Sequence, residues 1–125
     1  MATAKKVLLA EDDRFLRRAC ETALTRRGIT VIAAEDGERA LALIRSEHPD
    51  LILLDLLMPK KTGIEVLRAI KADPTTRDIP VLILSNSSRE LEMQNAQELG
   101  VVDYLIKANL SLQELAERVA AIVMA

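Results

Sequence analysis

Leu51-Ile-Leu-Leu-Asp-Leu-Leu-Met-Pro59 decides the fold of this 125-residue chain. Four consecutive apolar residues ending on an acid, with a proline soon after, do not alternate as a half-buried strand would. They read as a strand covered on both faces, the signature of a parallel sheet clothed by helices. Working outward, Val7–Ala10, Ile29–Ala33, Val81–Leu84 and Val102–Ile106 are further apolar runs, most of the set continuous like the first. Between them lie stretches with helical spacing: Arg14 to Arg27, Glu38 to Glu47, Ile64 to Lys71, Arg89 to Leu99, and Ser111 to Met124. Gly28 and Gly100 follow the first and fourth as helix stops. Ser87 with Glu90, and Ser111 with Glu114, are spaced as capping boxes. Asp73 to Pro80 is polar and proline-punctuated, hence a loop. No repeat or linker interrupts the alternation, so residues 1–125 are expected to form one α/β domain of five βα units.

Composition narrows the function. Half the residues are apolar and 29% are charged, as in a globular chain, and the net charge of −2 provides no global field for nucleic acid or anionic lipid. Phe15 and Tyr104 are the only aromatics, too few for a base-stacking surface. No apolar run is long enough to cross a membrane and no signal core follows Met1, so a cytoplasmic protein is expected. One histidine and one cysteine exclude the usual zinc sites. Cys20 lies among Phe15, Leu16, Ala19, Ala23 and Leu24 at helical spacing and reads as a buried apolar residue, not a nucleophile. His48, before Pro49 at a helix end, reads as a solvated terminal residue.

In a parallel sheet with right-handed crossovers, every strand ends at the same edge. The first run leads into Glu11-Asp12-Asp13, the third into Asp55, the fourth into Ser85 and the fifth into Lys107. Carboxylates, a hydroxyl and an ammonium therefore converge on one rim. In a doubly wound, flavodoxin-like sheet of order 2-1-3-4-5, the acids fall at the switch point between the first and third strands, where ligands bind. Clustered carboxylates raise one another's pKa unless a cation compensates, and Mg²⁺ suits one or two carboxylates, waters and a phosphate. An Asp side chain can attack phosphorus, and the product oxygens would need a cation and a hydroxyl beside them. A single strand-end acid could simply cap a helix, as Asp13 is expected to do. The combination from four strands is harder to explain in that way.

Val7-Leu-Leu-Ala-Glu-Asp-Asp13, Leu51 to Pro59 with Gly63, Val81-Leu-Ile-Leu-Ser85 and Asp103-Tyr-Leu-Ile-Lys107, in this order, resemble the response-regulator receiver family of bacterial two-component systems. The resemblance spans essentially the whole chain. It implies a (βα)5 three-layer sandwich that accepts a phosphoryl group on Asp55 from a phosphohistidine. Asp12 and Asp55 would hold Mg²⁺ directly, Leu57 through its backbone carbonyl, and Glu11 through water. Ser85 and Lys107 would contact the phosphoryl group, and Ser85 and Tyr104 would act as the switch pair. The implied partners are a sensor histidine kinase or phosphotransfer protein, and a downstream protein on the face of the fourth helix, fifth strand and fifth helix. Direct nucleic-acid or membrane binding is not expected. Such a domain assists its own phosphorylation and dephosphorylation without being an enzyme on another substrate. The helical pattern through Met124 leaves a stand-alone regulator and a piece of a larger one both open.

Four positions depart from the family pattern. Asn86 follows Ser85 where Ala or Gly is usual, and Ala108 follows Lys107 in place of Pro. Without proline, a cis bond there would cost about 3 kcal/mol, so a trans bond is expected. Leu57 replaces a residue that is often polar, and Val102 stands where many transcription-factor receivers have Asp. Three rival readings compete with this one. An aspartyl-phosphate phosphatase of the haloacid-dehalogenase class would need an acid two residues after Asp55, where this chain has Leu57. A flavodoxin-like cofactor binder would need a phosphate loop where Glu11-Asp12-Asp13 would repel phosphate. An unphosphorylated docking module is compatible with the fold alone.

Overall fold

The computed structural model describes residues 4–86 and 90–124. Five parallel strands alternate with five helices: β1 (Lys6–Ala10), α1 (Arg14–Thr25), β2 (Thr30–Ala34), α2 (Gly37–Glu47), β3 (Leu51–Leu54), α3 (Gly63–Ala72), β4 (Val81–Ser85), α4 (Glu90–Glu98), β5 (Asp103–Ile106) and α5 (Leu112–Val123). The sheet order is β2-β1-β3-β4-β5, as expected. Registers such as Ala10↔Ala34, Ala10↔Leu54 and Leu54↔Ile83 bring the carboxyl ends of the strands to one edge.

Alternation along each strand sorts the core into two layers. Leu8, Ala10, Ile52, Leu54, Val81 and Ile83 point to one side, where Ala40, Ile44, Val66, Leu67, Ile70 and Ala96 of α2, α3 and α4 meet them. Val7, Leu9, Leu51, Leu53, Leu82 and Leu84 point to the other, against Cys20 and Leu24 of α1 and Leu115, Ala116 and Val119 of α5. Every residue of β1 from Val7 onward, of β3 and of β4 is buried, while the edge strands β2 and β5 stay partly open.

Helix ends follow local chemistry. Asp13 caps α1 by accepting from Phe15 N and Leu16 N, Asp36 caps α2 through Arg39 N, and Thr62 caps α3 through Glu65 N. Ser111 accepts from Glu114 N, but the Glu114 carboxylate accepts from the Ser111 hydroxyl instead of reaching the backbone. His48 closes α2 in the left-handed conformation and is exposed. The Lys107–Ala108 bond is trans, and Lys107–Asn109 forms a 3-10 turn.

Several expectations are corrected. Phe15 is 86% exposed and does not share the Cys20 face. Five residues advance a helix by about 500°, so Phe15 and Cys20 lie about 140° apart. On α3, Val66 joins Leu67 and Ile70 in the core, while Ile64 is only half-buried. The first helix ends at Thr25, and a turn through Arg27 and Gly28 completes it, Gly28 donating to Thr25 O at φ +80. Val102 lies just outside β5 and is exposed, and β2 starts one residue later than Ile29. The Ser87–Glu90 box and the start of the fourth helix at Arg89 fall outside the described residues.

Candidate functional site

The two buried acids and Ser85 are delivered by buried strands, and Lys107 by the edge strand β5. β1 carries the chain straight into Glu11, whose amide donates to Ala34 O, and β3 leads into Asp55, whose amide donates to Ala10 O. These bonds extend the ladders one residue past the strands and fix both acids against the neighbouring strand. Arg17, one turn into α1, donates from Nη1 to the carbonyls of Glu11 and Asp12 at 2.8 and 3.3 Å. It closes the loop that presents the acidic pair. Sequence reading had no signal for that role, because an arginine at this position reads as a solvated charge.

Carboxylate oxygens of Glu11, Asp12 and Asp55 lie within 4.8 Å of one another; Glu11 and Asp55 are buried and Asp12 is exposed. Lys107 comes from the end of β5 and bridges two of them, with Nζ 2.6 Å from Glu11 Oε1 and 2.9 Å from Asp55 Oδ2. The other Asp55 oxygen accepts from Leu57 N at 3.2 Å. Ser85 ends β4, fully buried and paired in register with Ile106. Tyr104, on β5 opposite Ile83, is half-buried against the α2–α3–α4 layer. Leu57 and Asn86 stand exposed beside the rim. Glu11, Asp12, Asp55 and Lys107 therefore come together at the carboxyl edge, where Ser85 also ends its strand, while Tyr104 sits further back along β5.

Burial is the main force on Glu11, pushing its carboxyl up to about 8; Asp55 beside it adds to the rise and Lys107 opposes it. Burial also works against the Lys107 ammonium, but its bonds to Glu11 and Asp55 outweigh that and hold its pKa above the usual lysine value. Among the described residues, Glu11 Oε2 is the buried side-chain oxygen left without a hydrogen-bond partner. An orphaned carboxylate oxygen facing two further carboxylates suits a hard divalent cation bound by oxygen ligands. The residues present fit such a group.

Five parallel strands in this order, with an acid cluster and a lysine at the switch point, define a doubly wound α/β module with a charged site at its carboxyl edge. The response regulator receiver domain family matches residues 7–120, and the chain belongs to that family. The transcriptional regulatory protein CpxR of Escherichia coli K12 is 42% identical over 117 residues, 94% of this chain and 48% of that protein. The probable transcriptional regulator ycf27 of Porphyridium aerugineum is 36% identical over 118 residues, again 94% and 48%. The chain thus spans about half the length of these curated relatives. Among solved structures, the phosphorylated cyanobacterial phytochrome response regulator RcpA is 37% identical with a TM-score of 0.89, covering 98% of this chain and 96% of that one. The Mn²⁺-bound form of response regulator Rcp1 is 34% identical with a TM-score of 0.85, covering 94% and 92%. No described helix is long and apolar enough to cross a membrane.

Proposed function

We propose that this receiver domain, residues 1–125, takes a phosphoryl group from the phosphohistidine of a sensor kinase or phosphotransfer protein onto Asp55. The observation that carries the reading is Lys107 Nζ held between Glu11 and Asp55 beside the orphaned Glu11 oxygen. A carboxylate oxygen of Asp55 forms a bond to phosphorus while the P–N bond breaks, its electron pair leaving on the imidazole nitrogen, which picks up a proton. Lys107 then exchanges its contact with Asp55 for one to a phosphoryl oxygen, and the Ser85 hydroxyl donates to another. Asp12, Asp55 and the Leu57 carbonyl, with Glu11 acting through water, would hold Mg²⁺, which supplies charge neutralisation for the transferring group. Hydrolysis later returns the carboxylate, so the domain acts as a timed phosphoacceptor.

The output follows from the same rim. Drawing the Ser85 hydroxyl toward the phosphoryl group frees space for Tyr104 to turn inward and biases two states of the α4–β5–α5 face, which a downstream protein reads. A phosphatase reading lacks its acid, because Leu57 occupies that position.

Incubation with acetyl phosphate and Mg²⁺ should add one phosphate by intact mass. The addition should vanish with EDTA and in Asp55→Asn. Equal labelling of Asp55→Asn would remove Asp55 from the role, and absence of any labelling in the parent would favour an unphosphorylated docking module.

A further inference from the structure

The loop between β3 and α3 is held from a direction the site itself does not explain. At its far end, Gly63 N donates to Leu56 O at 2.9 Å, and Gly63 lies so close to Asp55 O and the Leu56 Cα that a Cβ would not fit. At its middle, the N-terminus of α2 nests against Pro59–Lys61. Gly37 N donates to Pro59 O at 3.3 Å, and a Cβ on Gly37 would overlap the Lys61 carbonyl and lie 2.6 Å from Lys61 Cβ. Lys60, between them, is left-handed at φ 69, and its ammonium lies 3.7 Å from the Asp36 carboxylate. That ion pair is largely exposed on the lysine side and contributes little. The steric nesting is the stronger constraint.

We propose that Gly37, with left-handed Lys60, is a positioning element for Asp55: α2 sets the path of the β3–α3 loop, and the loop aims the acceptor carboxylate through the Leu57 amide. The link to the carboxylate is the 3.2 Å bond from Leu57 N to Asp55 Oδ1. A side chain at position 37 displaces Pro59–Lys61, and the displacement reaches Leu57 because Gly63 pins the opposite end. The inference rests on the proposed metal site, in which the Leu57 carbonyl is an expected ligand.

Mg²⁺ alone is the probe, titrated into the full chain and followed by amide NMR shifts, with thermal melts in EDTA alongside. Gly37→Ala should weaken Mg²⁺ binding about tenfold, as loss of a ligand-orienting contact does. It should also shift the Leu57 amide before any metal is added. Gly28→Ala is the control, since Gly28 sits at φ +80 with nothing within 4 Å of a Cβ. It should lower the melting temperature and leave Mg²⁺ affinity unchanged. If Gly37→Ala fails to fold, position 60 carries the test: Lys60→Gly keeps the affinity, and Lys60→Val, which resists the left-handed region, weakens it. An unchanged Leu57 amide with Mg²⁺ affinity within about twofold of the parent overturns the proposal, as do equal affinities for the two Lys60 variants. A parent that binds no Mg²⁺ would sink the metal reading instead, and the metal-free Leu57 shift would then decide the positioning claim.

Discussion

Glu11 holds its proton in the fold where the unfolded chain has lost it. Its folded pKa of about 8 against an ordinary 4.5 means that between these values the native state binds more protons than the unfolded state. Stability contributed by Glu11 is therefore full at the acid end of that window and is lost as pH rises through 8. In EDTA, the melting temperature should fall from pH 5 to pH 8.5; Lys107, with its pKa raised above 10.5, acts outside this window. A melting temperature that climbs across the range, or a Glu11→Gln variant that keeps the same slope, would contradict the assignment. Leu57 offers a second test at this scale. It is 61% exposed beside Asp55 and cannot orient a water by hydrogen bonding. Leu57→Asn should shorten the half-life of phosphorylated Asp55 severalfold, read by intact mass after donor removal; an equal or longer half-life would refute the reasoning.

The strands were legible because their burial is complete. Four apolar residues in a row at Leu51–Leu54 and at Val81–Leu84 leave a covered parallel strand as the natural solution, and both are wholly buried. Leu53→Ala should cost roughly 2–5 kcal/mol in denaturant unfolding, because the layer under α1 and α5 has no mobile edge there. A loss under about 1 kcal/mol would mean the layer repacks. Site acids were legible for a related reason, since strand ends in a parallel sheet share an edge whatever the loops do. Helix faces were less so. Phe15 and Cys20 are both apolar and close in sequence, yet about 140° of helix separates them, and only Cys20 is buried. Lys60 and Asp36 lie 24 positions apart, and nothing in either neighbourhood announces that α2 leans on the β3–α3 loop. Such contacts come from the packing of two elements on one sheet face, which periodicity does not encode.

Across the whole molecule, the sheet separates two cores, and the site sits where both meet the rim. On the proposed reading, a signal raised at Asp55 passes through Ser85, paired in register with Ile106, and Tyr104, paired with Ile83. Beryllofluoride with Mg²⁺, mimicking the phosphoryl group, should shift amide resonances of Tyr104 and of α4, and not only those of Glu11, Asp55 and Lys107. Shifts confined to the rim would favour a partner that reads the phosphoryl group directly.

The reach of Lys107 also has a meaning in time. It bonds a carboxylate 96 positions earlier and another 52 positions earlier, so the pair of contacts exists only once β5 has joined the sheet. During synthesis Asp55 is added 52 residues before the ammonium that pairs with it. A nascent or truncated copy lacking β5 carries Asp55 without the ammonium that pairs with it. If Asp55 accepts a phosphoryl group as proposed, competence to do so doubles as proof that the last strand is in place.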